Sequence, residues 1–351
     1  MATSTSGTLL LMMILVLAVA TATAASTSRG MPSWVMPEDR RLLLTASPPV
    51  DAVVAKDGSG DHATISGAVA AAPPGDTRYT IYIKEGVYQE KVELLHRNNV
   101  MLIGDGAART VITGNESRRT VGAQREGIII RDLTIENTAG PEAEQAVALV
   151  SNSNKSVIYR CQILGFQDTL LAENFLQFYK ECEIAGTVDF IWGTATAVFQ
   201  DCVLLARRPG SMQHNAVTGQ GRNKHDSASG FTFQGCNVTT REDLCGVETY
   251  LGRPWHPYAR VIFIHCHMDA IVHPSGWAPW DKNKINVTTT RTVFFAEFEN
   301  QGPGADVRGR VKWSGFHNIK KASKAAKFTV NNFIDGGAWL PETGVPYKGG
   351  L

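Results

Sequence analysis

The stretch Ser156-Val-Ile-Tyr-Arg-Cys161-Gln-Ile163 decides the fold, because the chain repeats it. Gln177-Phe-Tyr-Lys-Glu-Cys182-Glu-Ile184 follows, then Ala197-Val-Phe-Gln-Asp-Cys202-Val-Leu204. Thr232-Phe-Gln-Gly-Cys236-Asn-Val238 and Ile262-Phe-Ile-His-Cys266-His-Met268 complete the series. Each copy has an aromatic or aliphatic residue three before the cysteine and an apolar one two after it. The five cysteines stand 21, 20, 34 and 30 residues apart, and Gly127-Ile-Ile-Ile-Arg-Asp-Leu-Thr-Ile135 is a cysteine-free copy one unit earlier. Self-similarity at this period is the mark of a stacked repeat. Each unit is a short strand with no room for a helix before the next, so such strands stack by coiling in parallel. The expected fold is all-β: a right-handed parallel β-helix with external loops where the spacing lengthens. A rival antiparallel sandwich needs alternating strands and two-residue hairpins. Asp57-Gly58 and Asp105-Gly106 are too few turn dipeptides to build one. A helix is expected over Thr64–Ala72, with Asp61 as a nearby cap and Pro73-Pro74 as its stop, plugging the open N-terminal end of the coil.

Composition narrows the function. The 351 residues carry 34 Lys+Arg and 33 Asp+Glu, a net charge of +1, and only 19% are charged. That excludes a strongly basic nucleic-acid binder and an acidic disordered tail. Leu9 to Ala20 is a run of twelve apolar residues, too short for a bilayer-spanning helix of about 20 residues. Ala22-Thr23-Ala24 is an A-x-A-like cleavage site, so residues 1–24 read as a secretory signal peptide rather than a membrane anchor. Four N-x-S/T sequons, at Asn115, Asn154, Asn237 and Asn286, agree with secretion. Residues 25–50 form a polar linker or pro-segment containing Arg40-Arg41-Leu42-Leu43, a candidate processing site. Residues 51–351 form the domain. No C-x-x-C pair supports a zinc or thioredoxin-type reading, and the cysteines read as small buried hydrophobes. In an oxidising compartment Cys161–Cys182 and Cys202–Cys236 are candidate disulfides, with connectivity left open.

No G-x-S-x-G, H-E-x-x-H, P-loop or G-x-G-x-x-G motif occurs. Acid, amide and aromatic chemistry remains. Asp168 follows Cys161 by seven residues, and Asp189 follows Cys182 by seven. Coiling therefore stacks the two carboxylates on successive rungs, roughly 5 Å apart. Two such charges cannot both ionise easily, which divides them into one acid and one carboxylate. The plain alternative is two turn-forming aspartates on a polar rim. Gln145 lies one rung before Gln167, and two amides can donate to a developing oxyanion or simply form a ladder. Arg253 and Trp255 share the loop Leu251-Gly-Arg-Pro-Trp255, where the guanidinium can hold a carboxylate and the indole can stack on a sugar. Their plain alternative is an arginine packed on a tryptophan. Trp277 and Trp280 can extend an aromatic groove or lie in the core. The nine histidines show no metal-ligand spacing.

Together these segments resemble the plant-type pectin methylesterases. The resemblance rests on Val53–Ile65 (VVAKDGSGDHATI), QAVAL at Gln145, GFQDTL at Gly165, GTVDFIWG at Gly186, ARRP at Ala206, LGRPW at Leu251 and GWAPW at Gly276, and it runs from about Val53 to Leu351. It implies a secreted cell-wall enzyme that converts methyl-esterified homogalacturonan to pectate and methanol without metal or cofactor. It implies Asp189 as nucleophile, Asp168 as acid and then base, and Gln167 with Gln145 at the oxyanion. Arg253 would hold Asp189, Trp255 would line the sugar groove, and Gln145 would contact substrate. A monomer is the expected state, with a proteinaceous pectin methylesterase inhibitor as an implied partner and neither nucleic acid nor membrane. The chain departs from the pattern in three places. Where the family has Thr-Phe-x-Ser-Ala-Thr, this chain reads Asn115-Glu116-Ser117-Arg118-Arg119-Thr120, and about nine residues are missing after Gly114. Trp192 replaces a more usual Phe. Only Pro32 to Leu44 resembles the end of the helical pro-region that many members carry. The altered segment keeps open a catalytically weak pectin-binding protein. A lyase or polygalacturonase is a third reading, but the glutamine-flanked aspartate pair does not look like one.

Overall fold

A computed structural model describes residues 50–351 except Arg118 and residues 282–285. The expected signal peptide and nearly all of the pro-segment, including Arg40-Arg41, lie outside the described residues. Three long sheets of eleven, eight and seven strands wrap one core, and each strand pairs with its counterpart one coil on. The pairings are parallel throughout these sheets, which makes the domain a right-handed parallel β-helix. The sandwich is thereby excluded.

The repeat explains how each corner is turned. The residue before each of the five repeat cysteines has a left-handed backbone: Arg160 (φ 51°), Glu181 (53°), Asp201 (53°), Gly235 (67°) and His265 (51°), with Asp132 (57°) in the cysteine-free copy. This single residue swings the chain from one sheet to the next, so that the flanking apolar residues both point inward. The residues three before the cysteines then pile face to face. Tyr179 stacks on Phe199 at 4.4 Å, Phe199 on Phe233 at 4.7 Å, and Phe233 on Phe263 at 4.6 Å, all within 14° of parallel. Ile163, Ile184, Leu204, Val238 and Met268 form the matching aliphatic column by register. Burying an aromatic contributes more than its area alone when rings also stack, by roughly 0.5–1.5 kcal/mol per pair.

All six cysteines are free thiols, so the candidate disulfides do not form. The stack itself gives the reason. The thiols of Cys182, Cys202, Cys236 and Cys266 donate to the carbonyls of Ile158, Tyr179, Phe199 and Phe233, respectively. Each acceptor lies three residues before the previous cysteine. Repeated side-chain directions keep neighbouring sulfurs aimed the same way, unlike the crossed geometry a disulfide requires. Burial pushes the Cys161, Cys182, Cys202 and Cys236 thiols well above their ordinary pKa.

The expected capping helix runs Ile65–Ala71 and buries Ile65, Ala68 and Val69. Its cap is Thr64, which accepts from Gly67 N, and not Asp61, whose carboxylate accepts from Val53 N at 2.8 Å. Glu90 adds a second cap by accepting from Ile65 N and Ser66 N. The C-terminal segment lies along the outer face of the eleven-stranded sheet. Val330, Ile334, Trp339, Leu340 and Val345 pack there on Met101, Ile129, Val157, Phe178 and Val198. Gln200 exchanges two hydrogen bonds with the Lys348 backbone, and Gln234 donates to Gly350 O. The sequence offered no periodic sign of this return.

Candidate active site

The seven-stranded sheet positions the site. Leu170–Ala172 pairs with Ile191–Gly193, with Leu170 opposite Ile191. Asp168 and Asp189 each precede these partners by two residues, so they share one column on adjacent rungs. Both have left-handed backbones, φ 63° and 48°. That geometry alone does not single them out, since the corner residues share it. Their surroundings do.

On the outer face of this sheet one column reads Glu93, Gly122, Val150, Leu171, Trp192, Gly219, Arg253 by register. It forms the floor of an open groove. One cavity of about 530 Å³ is lined by Gln145, Val150, Asp168, Leu171 and Trp192, with Lys91 and Arg119 at its far end. Two glycines make room. A Cβ on Gly219 would lie 2.9 Å from the Asp189 carboxyl carbon, and one on Gly221 would lie 2.4 Å from the Trp255 ring.

Asp189 is 4% exposed and gripped from one side. Arg253 Nε donates to Oδ1 at 3.0 Å and Oδ2 at 3.1 Å, and Nη2 donates to Oδ2 at 2.7 Å. The guanidinium is itself held 4.3 Å over the Trp280 ring. Burial raises the Asp189 pKa, and the arginine opposes that rise. Asp168 has no such partner. Burial first, and the neighbouring Asp189 charge second, push its pKa up to about 7, against a weaker pull from Arg253. The environment therefore makes two like groups unequal: Asp189 is paired with an arginine and Asp168 is not.

The other expected residues divide. Gln145 is exposed and lines the groove beside Asp168. Gln167 is half-buried, and its side-chain oxygen accepts from Gln213 at 3.5 Å, on the loop inserted between Cys202 and Cys236. Trp255 lines an adjoining cavity of about 410 Å³ with Trp280 and meets Trp192 edge-on at 5.3 Å. Trp277 is core, stacked at 4.2 Å on Phe295, while Trp280 is exposed at the groove. Trp192 also donates to Asp168 O at 3.3 Å, which ties it to the acid turn. Sequence reading missed Lys91 and Glu93; Arg119 entered it only as one residue of the altered segment 115–120.

Two carboxyls on adjacent rungs, one of them clamped by arginine, set in an open groove along parallel strands, define the class: a carboxylate-bearing β-solenoid. The pectinesterase family model matches residues 51–337. The chain is 46% identical over 335 residues to a probable pectinesterase/pectinesterase inhibitor of Arabidopsis thaliana, covering 92% of this chain and 64% of that one. It thus spans a little under two thirds of that relative's length. The solved pectin methylesterase from carrot superposes with a TM-score of 0.84 at 42% identity, covering 88% of this chain and all of that one. A pectin methylesterase solved in complex with a hexasaccharide superposes at 0.70 and 26% identity, covering 86% of this chain and all of the other. The chain belongs to the pectinesterase family.

Proposed function

We propose that this protein hydrolyses the methyl esters of homogalacturonan, and that the stacked pair Asp168 and Asp189, with Arg253 on the latter, carries the reaction. An Asp189 oxygen attacks the ester carbonyl carbon. Gln145 and Gln167 donate to the oxygen that gains charge. As the C–OCH3 bond breaks, Asp168 passes its proton to the leaving methoxide and methanol departs. The galacturonyl group is then joined to Asp189 as an anhydride. Asp168, now ionised, takes a proton from water as the water oxygen bonds to the acyl carbon. The anhydride bond breaks, the galacturonate carboxyl leaves, and both aspartates return to their starting states. Arg253 keeps Asp189 ionised and aimed throughout. Trp192, Trp255 and Trp280 supply faces for sugar rings along the groove. No residue is assigned to a metal or cofactor.

The polymer substrate fits an open groove that follows the coil axis. Secretion to the cell wall, through cleavage near residue 24, belongs to the same reading. So does processing after Arg40-Arg41, with residues 51–351 as the catalytic unit. A monomer and docking of a proteinaceous inhibitor over the groove complete it. No helix among the described residues is long and apolar enough to cross a membrane.

The test is methanol release from highly methylated pectin by the protein and by Asp189→Asn. The parent is expected to release methanol, and the variant to lose at least about a thousandfold in kcat with its fold intact. Equal rates overturn the nucleophile. Pectin binding without methanol release by the parent favours the non-catalytic alternative, which the altered segment 115–120 motivates.

A further inference from the structure

The far end of the groove carries a charged platform. Arg119 Nε donates to both oxygens of Glu93, at 3.0 and 3.1 Å, and Nη2 donates to Oε2 at 2.9 Å. Lys91 Nζ stands 3.3 Å from Oε1 of the same carboxylate. Two cations thus share one anion, leaving a net positive charge. Lys91 and Arg119 line the same cavity as Gln145, Asp168 and Trp192. The platform rests on Gly122, where a Cβ would lie 2.4 Å from Glu93 Oε2 and 2.6 Å from Arg119 Nε. Arg119 precedes Val121 by two residues, as Asp168 precedes Leu170, and Val121 and Leu170 both pair with Leu149. Arg119 therefore occupies the aspartate column two rungs from Asp168, a backbone separation of about 10 Å at ~4.8 Å per rung. Its Nη1 makes no hydrogen bond among the described residues.

We propose that Lys91 and Arg119 form a subsite for the free carboxylate of an already de-esterified galacturonate, close along the polymer to the ester being cleaved. The inference rests on the esterase reading for its substrate. A carboxylate receives charge-assisted hydrogen bonds from guanidinium and ammonium, and a methyl ester presents no charge to them. Glu93 has two functions there. It orients Arg119 over Gly122, and its own negative charge competes with the ligand. The enzyme would thus favour an ester that lies near a free carboxylate on the same polymer.

Two variants with opposite expected signs test this. Arg119→Ala, the residue of the family pattern, is expected to lower the ratio of kcat/KM on half-methylated over highly methylated pectin by about two- to fivefold, the size of a part-exposed ion pair. Glu93→Gln removes the competing anion and is expected to raise that ratio. Simple damage to the ion pair would move both variants the same way. Arg119→Lys is expected to restore part of the preference, and added salt to weaken it in the parent. Calorimetric titration with fully de-esterified oligogalacturonate reads the same site without turnover: weaker in Arg119→Ala, tighter in Glu93→Gln. Failure of the parent to release methanol would sink the esterase reading alone. Shifts of equal sign, or none, in both the ratio and the titration would overturn the subsite.

Discussion

Arg253 holds Asp189 through both carboxylate oxygens, at 3.0 and 2.7 Å, although 64 residues separate them in the chain. Coiling brings them together: Arg253 is in register with Gly219, whose missing side chain leaves the space the Asp189 carboxylate fills. The same pairing leaves Asp168 as the only member of the pair without a direct cation. One arginine thus sets the difference between two chemically identical groups.

That role predicts the outcome of Arg253→Lys. An ammonium cannot bind both oxygens in a fork or stack as a plane on Trp280. The variant is expected to keep its fold and lose about a hundredfold in kcat, with the acid limb of its pH–rate profile moved to higher pH because Asp189 loses the group that opposes its burial. Methanol release measured from pH 4 to 9 checks both. A lysine variant with unchanged rate and profile would show that Arg253 only fills space.

Asp168 predicts a link between pH, activity and stability. Its folded pKa of about 7 lies above the unfolded carboxyl value of about 3.9. The folded state therefore holds the proton that the unfolded chain releases. Stability from this group is complete below about pH 4 and is lost as pH rises through about 7. Ionised Asp168 is a destabilising charge that the proposed reaction needs only transiently. Asp168→Asn is expected to raise Tm at pH 8 by about 4–8 °C relative to the parent, with the gap closing towards pH 4. Its turnover should fall by about 10²- to 10⁴-fold. A Tm gap that does not depend on pH would contradict the raised pKa. In the parent, kcat/KM should decline on the alkaline side of about pH 7, where the acid is spent.

How much of this was legible follows from what repeats. The interval from Cys161 to Cys182 equals that from Asp168 to Asp189, so both the rung and the acid stack could be counted. The corner residues show why counting succeeded without the usual turn residues: Arg160, Glu181 and His265 adopt a left-handed backbone because core packing on both sides holds them there. Features that do not repeat were hidden. Thr64 and Asp61 are equally good caps on paper, and only the path of the chain assigns Asp61 to Val53. The cysteine spacing shows that sulfurs are neighbours but not that they point the same way. Glu93 and Arg119 meet only because Gly122, in register with Glu93 and three residues after Arg119, has no side chain to part them. The C-terminal return depends on the outer face of a sheet that reads from sequence as apolar in both directions.

The most buried ion pair among the described residues does not line the groove and was equally invisible. Arg310 and Glu297 have side chains only 1% and 2% exposed, and Arg310 Nε donates to Glu297 Oε1 at 2.8 Å. Arg310 also donates to Gly304 O at 2.7 Å and Pro274 O at 3.1 Å, and the Trp277 indole donates to Glu297 at 3.4 Å. The pair ties three loops to the last turns of the coil, where the aromatic column ends on Trp277 and Phe295. Removing one partner strands a charge at a position only 1–2% exposed to solvent. Glu297→Gln or Arg310→Met is therefore expected to cost about 3–5 kcal/mol, measured by denaturant unfolding. The double variant should cost less than the two single costs added together, because neither charge is then left alone. Additive losses would mean that Arg310 acts through its carbonyl contacts and that its charge pairing with Glu297 contributes little.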